Sequence, residues 1–209
     1  MNPASNLVLV GPMGAGKTCV GRRLAERFGL RLVDADQEIE RLAGASINTI
    51  FEIEGEAAFR ARESAVLAAL LAHEGIVLST GGGAVLDPEN RRRMRERGFV
   101  VHLMVSVEQQ LARLARDRSR PLLARGDREQ VLRDLSAKRA PLYAQVADFV
   151  FDTDAWDSAA GADALARELD TRWQRATDTP ASSAPAEQCA HTPHDDAPDG
   201  ASSDTLEFP

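Results

Sequence analysis

"GPMGAGKT", residues 11–18, follows the apolar run "LVLV" at residues 7–10. It leads into "KTCVGRRLAERFG" at residues 17–29, which reads as a helix closed by Gly29. Gly11, Gly16, Lys17 and Thr18 fit the pattern G-x-x-x-x-G-K-[ST], and they do so between a strand and a helix, where a phosphate loop belongs. Glycines let the backbone turn so that several N–H groups point inward. The helix that follows adds the positive end of its dipole. Lys17 brings a mobile cation to the β- and γ-phosphates, and the Thr18 hydroxyl is a ligand for Mg²⁺. The stretch therefore implies a bound nucleoside triphosphate. It names the phosphate donor and leaves the acceptor open.

Outward from that loop, strand and helix alternate. Apolar strands are expected at "NLVLVG" (6–11), "LRLVDAD" (30–36), "IVLSTGGG" (76–83), "FVVHLMV" (99–105) and "DFVFDT" (148–153). Between them lie two short helices at 37–44 and 47–55, a long one at 56–75, and further helices at 89–98, 107–117 and 128–147. A last helix at 159–176 closes the series. Five buried strands separated by helices predict an α/β fold, a parallel sheet covered on both faces. Ligands of such sheets gather at the carboxyl ends of the strands. Gly11–Thr18, Asp34, Asp36 and Gly81–Gly83 all fall there.

The chain has 209 residues, is 44% hydrophobic and carries a net charge of −7. Seven acids and one base lie in residues 174–209, so nearly all of that charge belongs to the C-terminal stretch. This predicts a folded domain at 1–173 and an acidic, Ala/Ser/Pro-rich disordered tail at 174–209. Neither part has the basic excess of a nucleic-acid binder. No apolar run approaches the roughly 18 residues of a membrane span, and no secretory signal is evident. Cys19 and Cys189 have no metal-like spacing and suit a reducing compartment, so a cytoplasmic protein is expected.

The acceptor is narrowed by two absences. There is no N-K-x-D guanine motif, and the third strand ends in "STGGG" rather than in an acidic pair. Both favour a kinase acting on another molecule. Asp34 and Asp36, two apart, project the same way from an extended segment. One is placed to hold Mg²⁺ through water and the other to accept a hydroxyl proton, although loop and capping aspartates are also common. In "FRARE", Arg60 and Glu63 share a helical face, either as a surface ion pair or as an arginine held for an anionic substrate. Gly81, Gly82 and Gly83 offer close backbone approach to a ligand or only a tight turn. "RSRPLLARGD", 118–127, has the length of a lid, with Arg120 able to swing onto the transferring phosphate. Arg139 precedes Pro141, read as interrupting its helix.

Taken in series, "GPMGAGKTCVGRRLA", "DAD", "FRARE", "STGGGAV", "RPLL" and "KRAPLY" resemble shikimate kinase over about residues 6–172. The resemblance implies the three-layer P-loop kinase fold, strand order 2-3-1-4-5 with a lid loop, and transfer of the γ-phosphate of ATP to the 3-hydroxyl of shikimate. It implies that Gly14, Ala15, Gly16, Lys17, Thr18 and Cys19 cradle ATP. Thr18 would bind Mg²⁺, with Asp34 near the metal. Asp36 would hold the shikimate hydroxyls and act as base. Arg60 and Arg139 would grip the carboxylate, Glu63 would orient Arg60, and Gly81–Gly83 would line the substrate, Gly82 through its backbone. Arg113 would lie near the nucleotide and Arg120 on the phosphates. A monomer is expected. "DTDAWD" departs from the family after the last strand, where Trp156 is read as packing rather than stacking on adenine. A gluconate kinase-like enzyme and a nucleotide-sensing binding module remain as alternatives.

Overall fold

The protein is described by a computed structural model over residues 4–115 and 127–174. Five parallel strands, β1 (Asn6–Val10), β2 (Arg31–Asp34), β3 (Ile76–Ser79), β4 (Gly98–Met104) and β5 (Phe149–Asp152), form one sheet. Their order is β2-β3-β1-β4-β5, and β1 lies at the centre, with Leu7 opposite Val77 on one side and Phe99 on the other. The period-2 geometry of a strand sorts its side chains between the faces. Val8 and Val10 pack with Phe59, Leu67, Met94 and Tyr143. Leu7 and Leu9 pack on the opposite face with Leu24, Leu165 and Trp173.

The first of these cores is roofed by α2 (Ala35–Ala43), α3 (Ile47–Ile53), α4 (Gly55–Leu71), α5 (Pro88–Arg97) and α7 (Arg128–Val146). The second lies under α1 (Lys17–Phe28) and α8 (Ser158–Arg172). α6 (Val107–Arg113) follows β4. Among the described residues, no helix is long and apolar enough to cross a membrane.

Three sequence expectations change. β2 stops at Asp34, whose side chain accepts from the backbone N–H of Asp36 and Gln37 and caps α2. Asp36 therefore stands in the first turn of a helix, and the two carboxylates are not the same-side neighbours of an extended strand. Pro141 does not interrupt its helix: α7 runs from Arg128 through Val146. The proline leaves one turn without its usual hydrogen bond. Burial of Leu132, Tyr143 and Val146 on either side holds the helix together across it. Thirdly, the segment after β3 leaves the sheet at Thr80, and Ala84–Leu86 form a 3-10 turn. The lid, Arg120 and the tail from residue 175 lie outside the described residues.

Candidate active site

The phosphate loop owes its shape to backbone that side chains disfavour. Gly11, Gly14 and Gly16 take φ of 143°, 80° and 86°, and Gly16 is the N-cap of α1. Met13, Gly14, Gly16, Lys17, Thr18 and Cys19 line a cavity of about 680 Å³. Ala15 turns its side chain into the core instead. Lys17 Nζ donates to the carbonyls of Gly11 and Pro12, at 2.8 and 2.9 Å.

A cluster of oxygens meets where the first turn of α1 faces the ends of β2 and β3. Thr18 Oγ1 donates to Asp34 Oδ2 at 2.6 Å, and Ser79 Oγ lies 3.2 Å from the same hydroxyl. Among the described residues no three His, Cys, Asp or Glu side chains converge as a metal cage. An oxygen-only set with one carboxylate suits Mg²⁺, which takes few protein ligands and completes its octahedron with water and phosphate. Ser79 was not singled out in the sequence. Its position at the end of a buried strand, before the glycines, was the available signal.

The same cavity continues past Asp36 to Arg60, Glu63, Gly81–Gly83 and Arg139. Arg60 and Glu63, one turn apart on α4, make an ion pair at 2.7 Å. Glu56 joins from the exposed side at 3.0 Å. The Glu63 side chain is only 2% exposed. Burial pushes its carboxyl above the usual range, Arg60 opposes that shift and Asp36 adds to it. Its Oε1 has no hydrogen-bond partner, and neither has Nε of the buried Arg139. Buried polar atoms left in this way are costly unless a ligand or water meets them.

The glycines explain how these groups fit so closely. A Cβ on Gly81 would stand 2.5 Å from Glu63 Oε1 and 2.8 Å from Asp36 Oδ1. One on Gly83 would overlap the Arg60 guanidinium, 2.6 Å from Cζ. One on Gly82 would lie 3.5 Å from Arg139 Nη1, an ordinary contact. Gly82 O accepts from the Tyr143 hydroxyl at 2.5 Å.

On the other side of the loop, Arg113 donates to Gly14 O (3.1 Å) and Thr153 O (2.6 Å). It thus ties the phosphate loop to the segment after β5. Trp156 lies beside Phe151, ring centroids 6.4 Å apart, and stays 40% exposed. The described site residues thus fall into one continuous cleft, save Ala15, whose side chain faces the core, and Arg113, which braces the loop from the end of α6.

A family model described as shikimate kinase matches residues 13–170. A shikimate kinase of Stenotrophomonas maltophilia (strain R551-3) is 61% identical over 175 residues, 84% of this chain and 97% of its own length. One from Xanthomonas euvesicatoria pv. vesicatoria is 59% identical over 181 residues, 87% of this chain and all of its own. Among solved structures, a shikimate kinase from Acinetobacter baumannii in complex with shikimate superposes with a TM-score of 0.75 at 48% identity. That match covers 80% of this chain and 92% of the other.

Proposed function

The chain belongs to the shikimate kinase family, and from that membership we infer that it transfers the γ-phosphate of ATP to the 3-hydroxyl of shikimate. The products are shikimate 3-phosphate and ADP. The observation that carries this reading is that Arg60 and Arg139, drawn from two helices, line the same cavity as Lys17 and Thr18. A carboxylate held by two guanidinium groups at one end puts a ring hydroxyl within reach of the phosphate loop at the other.

The roles follow from chemistry. Arg60 and Arg139 grip the carboxylate through charge-assisted hydrogen bonds, and Glu63 fixes Arg60 in the grip. Asp36 accepts the proton of the 3-hydroxyl as its oxygen bonds to the γ-phosphorus. The bond from that phosphorus to the bridging oxygen breaks, and its electron pair leaves with ADP. Lys17 and the loop amides of Gly14–Cys19 stabilise charge developing on the phosphoryl oxygens. Thr18 and Asp34, already paired, are the residues that would hold Mg²⁺. Bound there, Mg²⁺ neutralises phosphate charge. Arg113 sits beside the nucleotide, and Gly81–Gly83 line the acceptor. We place the enzyme in the cytoplasm as a monomer, with catalysis confined to residues 1–173.

A coupled ADP-release assay across shikimate, gluconate and nucleoside monophosphates tests the reading. ADP release is expected to require shikimate. Turnover of gluconate in its place, or ATP binding with no phosphorylated product under any acceptor, refutes it.

A further inference from the structure

We propose that Tyr143 is a positioning residue for the acceptor, its hydroxyl holding the Gly82 backbone in place beside Arg139. The proposal rests on the reading of Arg139 and Gly82 as acceptor contacts.

Tyr143 is 2% exposed. A ring in that position contributes to the core whether or not it carries oxygen, so the hydroxyl needs its own account. Its proton goes to Gly82 O at 2.5 Å. The positive charge of Arg139, one turn earlier on α7, bears on the same phenol and opposes the effect of its burial. Desolvation raises the phenol pKa to about 12, so it keeps its proton and donates at any working pH. Gly82, which it holds, and Arg139, which lies beside Gly82, are both groups assigned to the acceptor. On its face the ring stacks against His102, centroids 4.9 Å apart and planes 26° from parallel, which fixes the direction in which the hydroxyl points.

The unit extends to the phosphate loop. The space next to the Gly82 Cα is bounded by Arg139 Nη1, Tyr143 Oη and Gly11 O, each within 3.6 Å of where a Cβ would sit. Gly11 O is also an acceptor for Lys17 Nζ. By holding Gly82, Tyr143 keeps that backbone in register with Arg139 and with the donor side of the cleft. An acceptor resting on a Gly82 free to shift would lose that register, and small misplacements are costly in rate and affinity.

Tyr143→Phe keeps the ring and the stacking and removes only the strut. The expected result is a rise of about tenfold in the shikimate KM, the loss expected from one buried hydrogen bond. The ATP KM should stay within about twofold. Equal rises in both KM values would mark a merely structural role and overturn the proposal. Arg139→Ala separates this from the underlying reading. If it raises the shikimate KM while Tyr143→Phe does not, the strut is wrong and the grip stands. If Arg139→Ala leaves that KM unchanged, the grip itself is wrong. Tyr143 is the chain's single tyrosine, so 3-fluorotyrosine labels it alone in an otherwise native protein. Its ¹⁹F resonance should move on shikimate titration, and a resonance unmoved at saturation overturns the proposal even if the Phe variant fails to fold.

Discussion

Gly83→Ala adds one methyl group at the point where the acceptor site is tightest. Gly83 has φ −97° and ψ −5°, a conformation open to alanine, so the backbone raises no objection and the effect is purely steric. The new Cβ would stand 2.6 Å from Arg60 Cζ and overlap Nη1. Carbon atoms rest at about 3.5–4.0 Å, so the guanidinium must retreat by roughly 1 Å. It is tethered to Glu63 at 2.7 Å and Glu56 at 3.0 Å, so the retreat also strains that ion-pair network. A misplacement of about 1 Å at a positioned group costs up to about a hundredfold. We expect the shikimate KM to rise between about ten- and a hundredfold, or about 1.4–2.7 kcal/mol, with the ATP KM unchanged. Steady-state kinetics with each substrate varied in turn measures this. A wild-type shikimate KM in Gly83→Ala would refute the placement of Arg60 in the acceptor grip. Gly82→Ala, whose Cβ meets its neighbours at ordinary distances, is the control for general disruption and should fold with an almost unchanged Tm.

Lys17→Ala should lower kcat by about a hundred- to a thousandfold, the usual cost of losing one transition-state donor, and leave the shikimate affinity intact by direct titration. Thr18→Val, which removes the hydroxyl held by Asp34 at 2.6 Å, should move half-maximal activity to about tenfold higher Mg²⁺; an unaltered Mg²⁺ curve would exclude Thr18 as a ligand. Burial, reinforced by Lys17, lowers the His102 pKa to about 4. The unfolded chain therefore binds this proton first as pH falls below about 6.5. Stability present near neutrality is lost on acidification towards pH 4, by at most about 3 kcal/mol, and urea titrations of His102→Phe should show a shallower acid dependence than the parent. Truncation after residue 174 should leave kcat and both KM values within about twofold, because the family match ends at residue 170.

The phosphate loop was legible because its physics is local. Glycine spacing, the lysine and the adjoining helix all lie between Gly11 and Phe28. The five strands were legible for the same reason: Leu7 to Val10 alternate between two cores, and an apolar run of that kind has few other uses. Arg60 and Glu63 came as a pair because helical spacing alone joins them. What escaped depends on contacts between distant segments. The capping role of Asp34 follows from where β2 stops, and four residues of strand do not announce their end. Pro141 reads as a breaker until packing on both sides of it is known. Tyr143 looks like any core aromatic until Gly82, 61 residues away, is brought to its hydroxyl. The room that Gly81 and Gly83 leave for Glu63, Asp36 and Arg60 is likewise visible only when α4 and the turn after β3 are seen together.

Lys17 folds its ammonium back onto the carbonyls of Gly11 and Pro12, so the loop guards its own entrance. The charged oxygens of a polyphosphate outcompete neutral carbonyls for that ammonium, whereas a neutral sugar brings no such advantage, so the resting position of Lys17 favours an anion at the cradle.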